Sequence, residues 1–139
     1  MNNQKSQWLR AVLLTGAIYC TIGIGFSAFA GWSSSRRVVV AWNIASFVVS
    51  LVVFAVHIGY DYFRHGNRPL IVAWHASLAV ALGSFLLAVS ANIHSFRVAN
   101  SPHGLLAIAL VVWPLMVGIP AFVVALIAAA ALKFIRPRV

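Results

Sequence analysis

The chain has no glutamate, a single aspartate (Asp61) and a single cysteine (Cys20) among its 139 residues. With one carboxylate side chain it cannot perform paired-carboxylate hydrolysis, and without glutamate it cannot form an H-E-x-x-H helix or a glutamate-based di-metal bundle. One cysteine gives neither a disulfide framework nor a thiolate metal site. The sequence also lacks a Gly-x-Ser-x-Gly elbow and a phosphate-binding glycine loop. These absences favour a protein that is not an enzyme.

Charged residues are also scarce, at 8% of the chain, whereas 63% is hydrophobic and the mean hydropathy is +0.97. A soluble domain carries roughly a quarter charged residues, so this chain lacks the polar coat of a soluble protein. Its net charge of +9 invites a nucleic-acid interpretation. The basic residues, however, stand at the ends of apolar runs and form no continuous stripe. We predict a membrane protein surrounded by the lipid bilayer, with no nucleic-acid partner.

Four apolar runs divide the chain, and each exceeds the roughly 20 residues that a helix needs to cross a bilayer. They lie at about 9–30, 38–63, 70–96 and 105–135. We therefore predict an all-α membrane protein, a four-helix transmembrane bundle with up-down topology that forms a single domain over residues 1–139.

Two of the runs have special features. The first ends in Ala28-Phe29-Ala30, which matches a signal-peptide cleavage pattern. It is longer than the roughly 7–15 residues of a signal h-region, which favours a membrane span and leaves cleavage as the alternative. The fourth contains Pro114 and Pro120, which predict a kink or an irregular turn between them because each removes a backbone hydrogen bond.

The distribution of lysine and arginine predicts the orientation. Four spans place both termini and the central turn on one side, with seven basic residues: Lys5, Arg10, Arg64, Arg68, Lys133, Arg136 and Arg138. The other side has three: Arg36, Arg37 and Arg97. By the positive-inside rule, both termini are expected in the cytoplasm, and a bacterial cytoplasmic membrane is the expected location.

The candidate site is the turn between the second and third runs, where polar residues enter the spans. His57 and His75 lie at matched depth on consecutive helices, and Asp61 is one helical turn from His57. Arg64 and Arg68 follow at headgroup level and are expected to keep Asp61 ionised. Ionisable groups inside a span are costly and mark functional sites by default.

Several functions fit this polar site. A transport or channel module, or an accessory subunit of a membrane complex, is favoured, with the His–Asp set as a proton or cation path. The alternative is an electron-transfer subunit that binds quinone or a b-type haem, with His57 and His75 as axial ligands. A divalent metal on His57, Asp61 and His75 is a further possibility. The structural interpretation is that Asp61 pairs with Arg64 and that the histidines join neighbouring helices.

Small residues at helical spacing predict close helix packing. They form the series Ala17-Thr21-Gly25, Gly23-Ser27-Gly31, Ala79–Gly83 and Ser84–Ala88. Such faces favour association with a second copy of the chain or with a partner membrane subunit. His94 stands near the end of the third run and His103 just before the fourth, and both are expected to contact water in the interface.

Overall fold

A computed structural model describes residues 2–95 and 103–135, with side chains for 7–93 and 108–135. These residues form four α-helices: α1 Asn2–Gly31, α2 Arg36–His65, α3 Pro69–Ser95 and α4 His103–Ile135. Each contains a segment that is long and apolar enough to cross a membrane. The predicted number of helices is confirmed, and the bundle is consistent with a small membrane protein.

The connection between α2 and α3 is a short turn, residues 66–68, that lies between the second and third predicted runs. Gly66 follows the end of α2 with φ of 62°, the left-handed conformation that glycine adopts without steric cost. Pro69 is the first residue of α3, where its missing N–H removes no helical hydrogen bond. The amides of Ile71 and Val72 donate to the Arg68 carbonyl at 2.9 and 3.1 Å. The turn therefore holds the end of α2 beside the start of α3.

The connection between α1 and α2 differs from the prediction in length. The polar loop predicted over Gly31–Arg37 is shorter, because α2 already begins at Arg36 after Ser35, and the Val39 amide donates to the Ser35 carbonyl at 3.1 Å. The loop predicted before the fourth helix lies largely in 96–102, outside the described residues, and α4 begins at His103. The side chains of His94 and His103 are outside the described part as well.

The irregular turn predicted in the fourth helix is not present. α4 continues as an α-helix through Pro114 and Pro120. Inside an apolar helix bundle an unwound segment would leave several backbone groups without partners, whereas a proline within a continuous helix removes one donor. Packing also holds this segment, since a Cβ on Gly118 would lie 3.2 Å from the Ala81 Cβ of α3.

α3 is the central helix and contacts all three others, most extensively α4 and then α1. Its contact surface consists of small side chains, since Ala73, Ala76 and Ala79 are fully buried. Ala125 and Ala129 of α4, one turn apart, are also fully buried. Small residues let the backbones approach closely, which is how helices associate in lipid.

Glycine and leucine make the contact between α1 and α3. A Cβ on Gly83 would lie 2.6 Å from the Tyr19 Cβ, and Cβ atoms on Gly16 and Gly23 would overlap Leu82 and Leu87. The close packing predicted at Gly83 and Gly23 is therefore observed. The remaining predicted glycines, Gly25 and Gly31, face open space.

Candidate functional site

The candidate site lies on the last three turns of α2, which contain the buried residues of that helix. Phe54, Ile58 and Tyr62 recur every four residues and join the apolar core. His57 and Asp61 recur at the same spacing and are also buried. Residues four apart occupy nearly the same side of a helix, so a polar stripe runs beside an apolar one. Both stripes face the other helices.

Asp61 is bound by side chains from three places in the sequence. Its Oδ2 lies 2.8 Å from Nδ1 of His75 on α3, and its Oδ1 accepts a hydrogen bond of 2.9 Å from Nδ2 of Asn67 in the turn. His65 Nδ1 is 3.4 Å from Oδ1, within ion-pair range but without a hydrogen bond. An ionised carboxylate can only accept, so in that state His75 carries its proton on Nδ1.

His57 is anchored on α1. Its Nδ1 lies 3.1 Å from the Thr15 hydroxyl, and both residues are 8% exposed. Its Nε2 is buried and has no hydrogen-bond partner among the described residues. The Tyr19 hydroxyl, one turn beyond Thr15 on α1, is likewise buried and without a partner in that part of the chain. These unpartnered atoms continue the polar stripe beyond Asp61 into the bundle.

α1 also closes the site over His75. The indole of Trp8 stacks on the His75 imidazole, with ring centroids 5.0 Å apart and an interplanar angle of 2°. Trp8 and Thr15 are seven residues apart and therefore lie on the same face of α1. One face of α1 thus fixes both histidines. We refer to His57, Asp61, His65, Asn67 and His75 together as the His–Asp cluster.

Arg64 and Arg68 lie outside this cluster. Both are exposed, and the ion pairs of Asp61 among the described residues are with His75 and His65. Exposed arginines at the end of a span extend towards headgroups and water, whereas the nearby imidazoles and amide reach Asp61 without leaving the bundle. The hydrogen bonds of Asp61 among the described residues therefore involve an amide and an imidazole, and neither involves an arginine.

The structure adds four residues that sequence reasoning did not assign to the site: Trp8, Thr15, His65 and Asn67. A local signal existed for His65, which stands four residues after Asp61, and for Asn67 in the adjacent turn. Nothing in the sequence pairs Thr15 with His57, which lies 42 residues away.

The cluster contains the groups that a proton exchange requires. Imidazole changes its charge near neutral pH, and Asp61 and His75 can share one proton across their hydrogen bond. The described residues contain no group of three or more histidine, cysteine or acidic side chains arranged to hold a metal ion. The divalent-metal hypothesis thus gains no support from the described side chains.

Comparison of the chain with protein-family models, with curated proteins and with solved structures gives no match.

Proposed function

We propose that this chain is a small integral membrane module of the transport or channel type, in which the His–Asp cluster binds and exchanges protons. The observation that supports it is the burial of Asp61, the only carboxylate side chain in the sequence, at 5% exposure beside His75. A carboxylate within a span is costly, and apolar packing alone would not require one.

The buried polar atoms outline a path for the proton. From Asp61 the stripe continues to His57, one turn further along α2, and across a 3.1 Å contact to Thr15. Tyr19 follows, about 6 Å further along α1 at about 1.5 Å per residue. Buried polar atoms without protein partners are commonly satisfied by water. Water at His57 Nε2 and the Tyr19 hydroxyl would extend the path towards the middle of the bundle.

Assembly is part of this proposal, because one four-helix bundle offers little interior for a complete path. Ala17 and Thr21 are exposed and Gly25 faces open space, so this strip of α1 can receive a helix from a second copy or from a partner membrane subunit. In an assembly with a partner subunit, the chain acts as an accessory subunit whose cluster supplies one part of the path.

The orientation we propose is up-down with both termini in the cytoplasm, based on the excess of basic residues at that side. A reporter fused after Val139 should be active as a cytoplasmic reporter, and one inserted in Ser33–Ser35 as an external reporter. External activity at Val139 would overturn this orientation.

Proton flux in liposomes tests the function. Asp61→Asn keeps the shape of the side chain and an oxygen that can accept from Asn67, but it removes the titratable group. Flux should therefore fall at least roughly a hundredfold, the lower end of what a lost proton-transfer group costs. His75→Gln should have a similar effect. The control is Ser84→Ala, since that hydroxyl bonds the Ala81 carbonyl of its own helix. Wild-type flux from a folded Asp61→Asn protein would refute the proposal.

Haem binding is the second candidate, and one feature favours it. Nδ1 of His57 and of His75 both engage a side-chain oxygen, which is how ligating histidines are oriented towards a metal through Nε2. A dithionite-reduced minus oxidised spectrum of the purified protein decides between the two. A Soret band lost in both His57→Ala and His75→Ala, but kept in His94→Ala, would establish haem and displace the proton-exchange proposal.

A further inference from the structure

A groove between α1 and α2 lies next to the His–Asp cluster and has a different character. Its volume is about 500 Å³, and Arg10 of α1 and Arg64 of α2 stand in its walls. Both arginines are exposed. Two positive charges from different helices therefore converge on one open groove.

These charges have no counter-charge in the described part of the chain. Its ion pairs are those of Asp61 with His65 and His75, and Asp61 is turned into the bundle. The sequence has ten basic residues and one acidic residue, so no other side chain can supply an anion. The groove is therefore complementary to an anion that comes from outside the chain.

The remaining walls are suited to an amphiphile. Ala11 and Leu14 continue the groove along α1, where Ala11 directly follows Arg10 and Leu14 lies one turn beyond it. Leu14 is 66% exposed. Tyr60 lies opposite on α2, and its ring contacts His65 edge to face at 5.4 Å. A charged end followed by an apolar end matches a headgroup followed by an acyl chain. Free inorganic phosphate would use the arginines but not the apolar walls.

We propose that this groove binds an anionic phospholipid, with the phosphate between Arg10 and Arg64 and an acyl chain along Ala11 and Leu14. Arginine pairs recognise phosphate through several N–H donors, and basic pockets between membrane helices are typical headgroup sites. The inference rests on the membrane placement of the chain in the proposed function, but not on proton exchange. His65 lines the groove and lies 3.4 Å from Asp61, so a bound headgroup would be next to the cluster.

Native mass spectrometry of the full chain in a nonionic detergent tests this, with dioleoylphosphatidylglycerol as the probe. The doubly substituted protein Arg10→Gln, Arg64→Gln should bind it roughly tenfold more weakly, since each arginine near an anionic lipid contributes attraction. The matched control is Arg36→Gln, Arg37→Gln, which removes the same charge from exposed positions outside the groove. The control should bind within about twofold of wild type.

A second variant tests whether the apolar walls of the groove contact the lipid. Two competing ligands test whether the groove prefers an anionic phospholipid to a zwitterionic lipid or to free phosphate. Ala11→Phe keeps every charge but fills the apolar part of the groove, so it should also weaken lipid binding. Dioleoylphosphatidylcholine, with the same acyl chains and no net charge, should bind more weakly than the anionic lipid. Equal binding of the two lipids, unchanged binding by the double variant, or complete displacement by inorganic phosphate would each overturn the proposal. These measurements use no proton gradient. A negative result would therefore refute lipid binding without bearing on the proton-exchange proposal.

Discussion

The two halves of α2 have opposite surroundings. Every buried residue of this helix lies between Phe54 and Tyr62, in its last three turns, and no residue from Arg36 to Val53 is buried. Phe47 and Phe54 illustrate the contrast. They are seven residues apart and lie within about 20° of the same face, yet Phe47 is 69% exposed and Phe54 is 8% exposed.

The contrast shows that burial in α2 depends on position along the helix more than on side-chain polarity. The half that enters the core contains His57 and Asp61, whereas the exposed half is mainly apolar after the two arginines at its start. In water this distribution would be unfavourable. In a bilayer, apolar side chains lose nothing by facing lipid, whereas an ionisable group needs a partner inside the bundle. The exposed half meets α1 mainly through aromatic rings, with Phe29 stacked on Trp42 at 5.2 Å.

The largest difference between the halves is expected from truncating their two phenylalanines. Phe54→Ala would leave a cavity of roughly 100 Å³. Because the ring stays in an apolar medium when the protein unfolds in detergent, only the cavity contributes, and at about 24 cal/mol per Å³ it costs about 2.4 kcal/mol of unfolding free energy. Phe47→Ala should change it by less than about 0.5 kcal/mol, because lipid fills the space. Unfolding by sodium dodecyl sulfate titration measures both. Equal losses would show that the exposed half is packed against something in the folded protein.

A smaller effect is expected where α1 meets the central helix. Gly83→Ala would place a methyl group 2.6 Å from the Tyr19 Cβ, forcing the backbones apart at a cost of about 1 to 2 kcal/mol. Gly59→Ala in α2 is the control, since its Cβ would meet open space, and it should be neutral or stabilising. The same titration measures both. A neutral Gly83→Ala would contradict the close approach of α1 and α3.

The smallest effect is expected from the hydrogen bond that links α1 to the buried half of α2. Thr15→Val keeps the shape but removes the hydroxyl beside His57, and interhelical hydrogen bonds in membranes average about 0.6 kcal/mol. Thr21→Val is the matched control on the same helix, because its hydroxyl donates to the Ala17 carbonyl one turn earlier. We expect Thr15→Val to cost more than Thr21→Val. The reverse order would show that Thr15 does not anchor His57.

Features that depend on local chemistry could be predicted from the sequence. The lengths of the apolar runs predicted four helices, because a run of such length without turn signals favours a helix. Gly66 and Pro69 located the turn between α2 and α3, since each residue favours one backbone conformation at a helix end. The four-residue spacing of His57 and Asp61 placed them on one side of α2.

The groups that those residues contact depend on how the helices pack and could not be predicted from the sequence. Arg64 was the expected partner of Asp61 by spacing, but the carboxylate turns inward to His75 and Asn67. Thr15 reaches His57 because α1 docks beside α2, a contact between residues 42 positions apart that no local pattern encodes. The physical reason is common to both cases. Removing a polar group from water or headgroups makes its nearest buried partner matter more than its nearest neighbour in sequence.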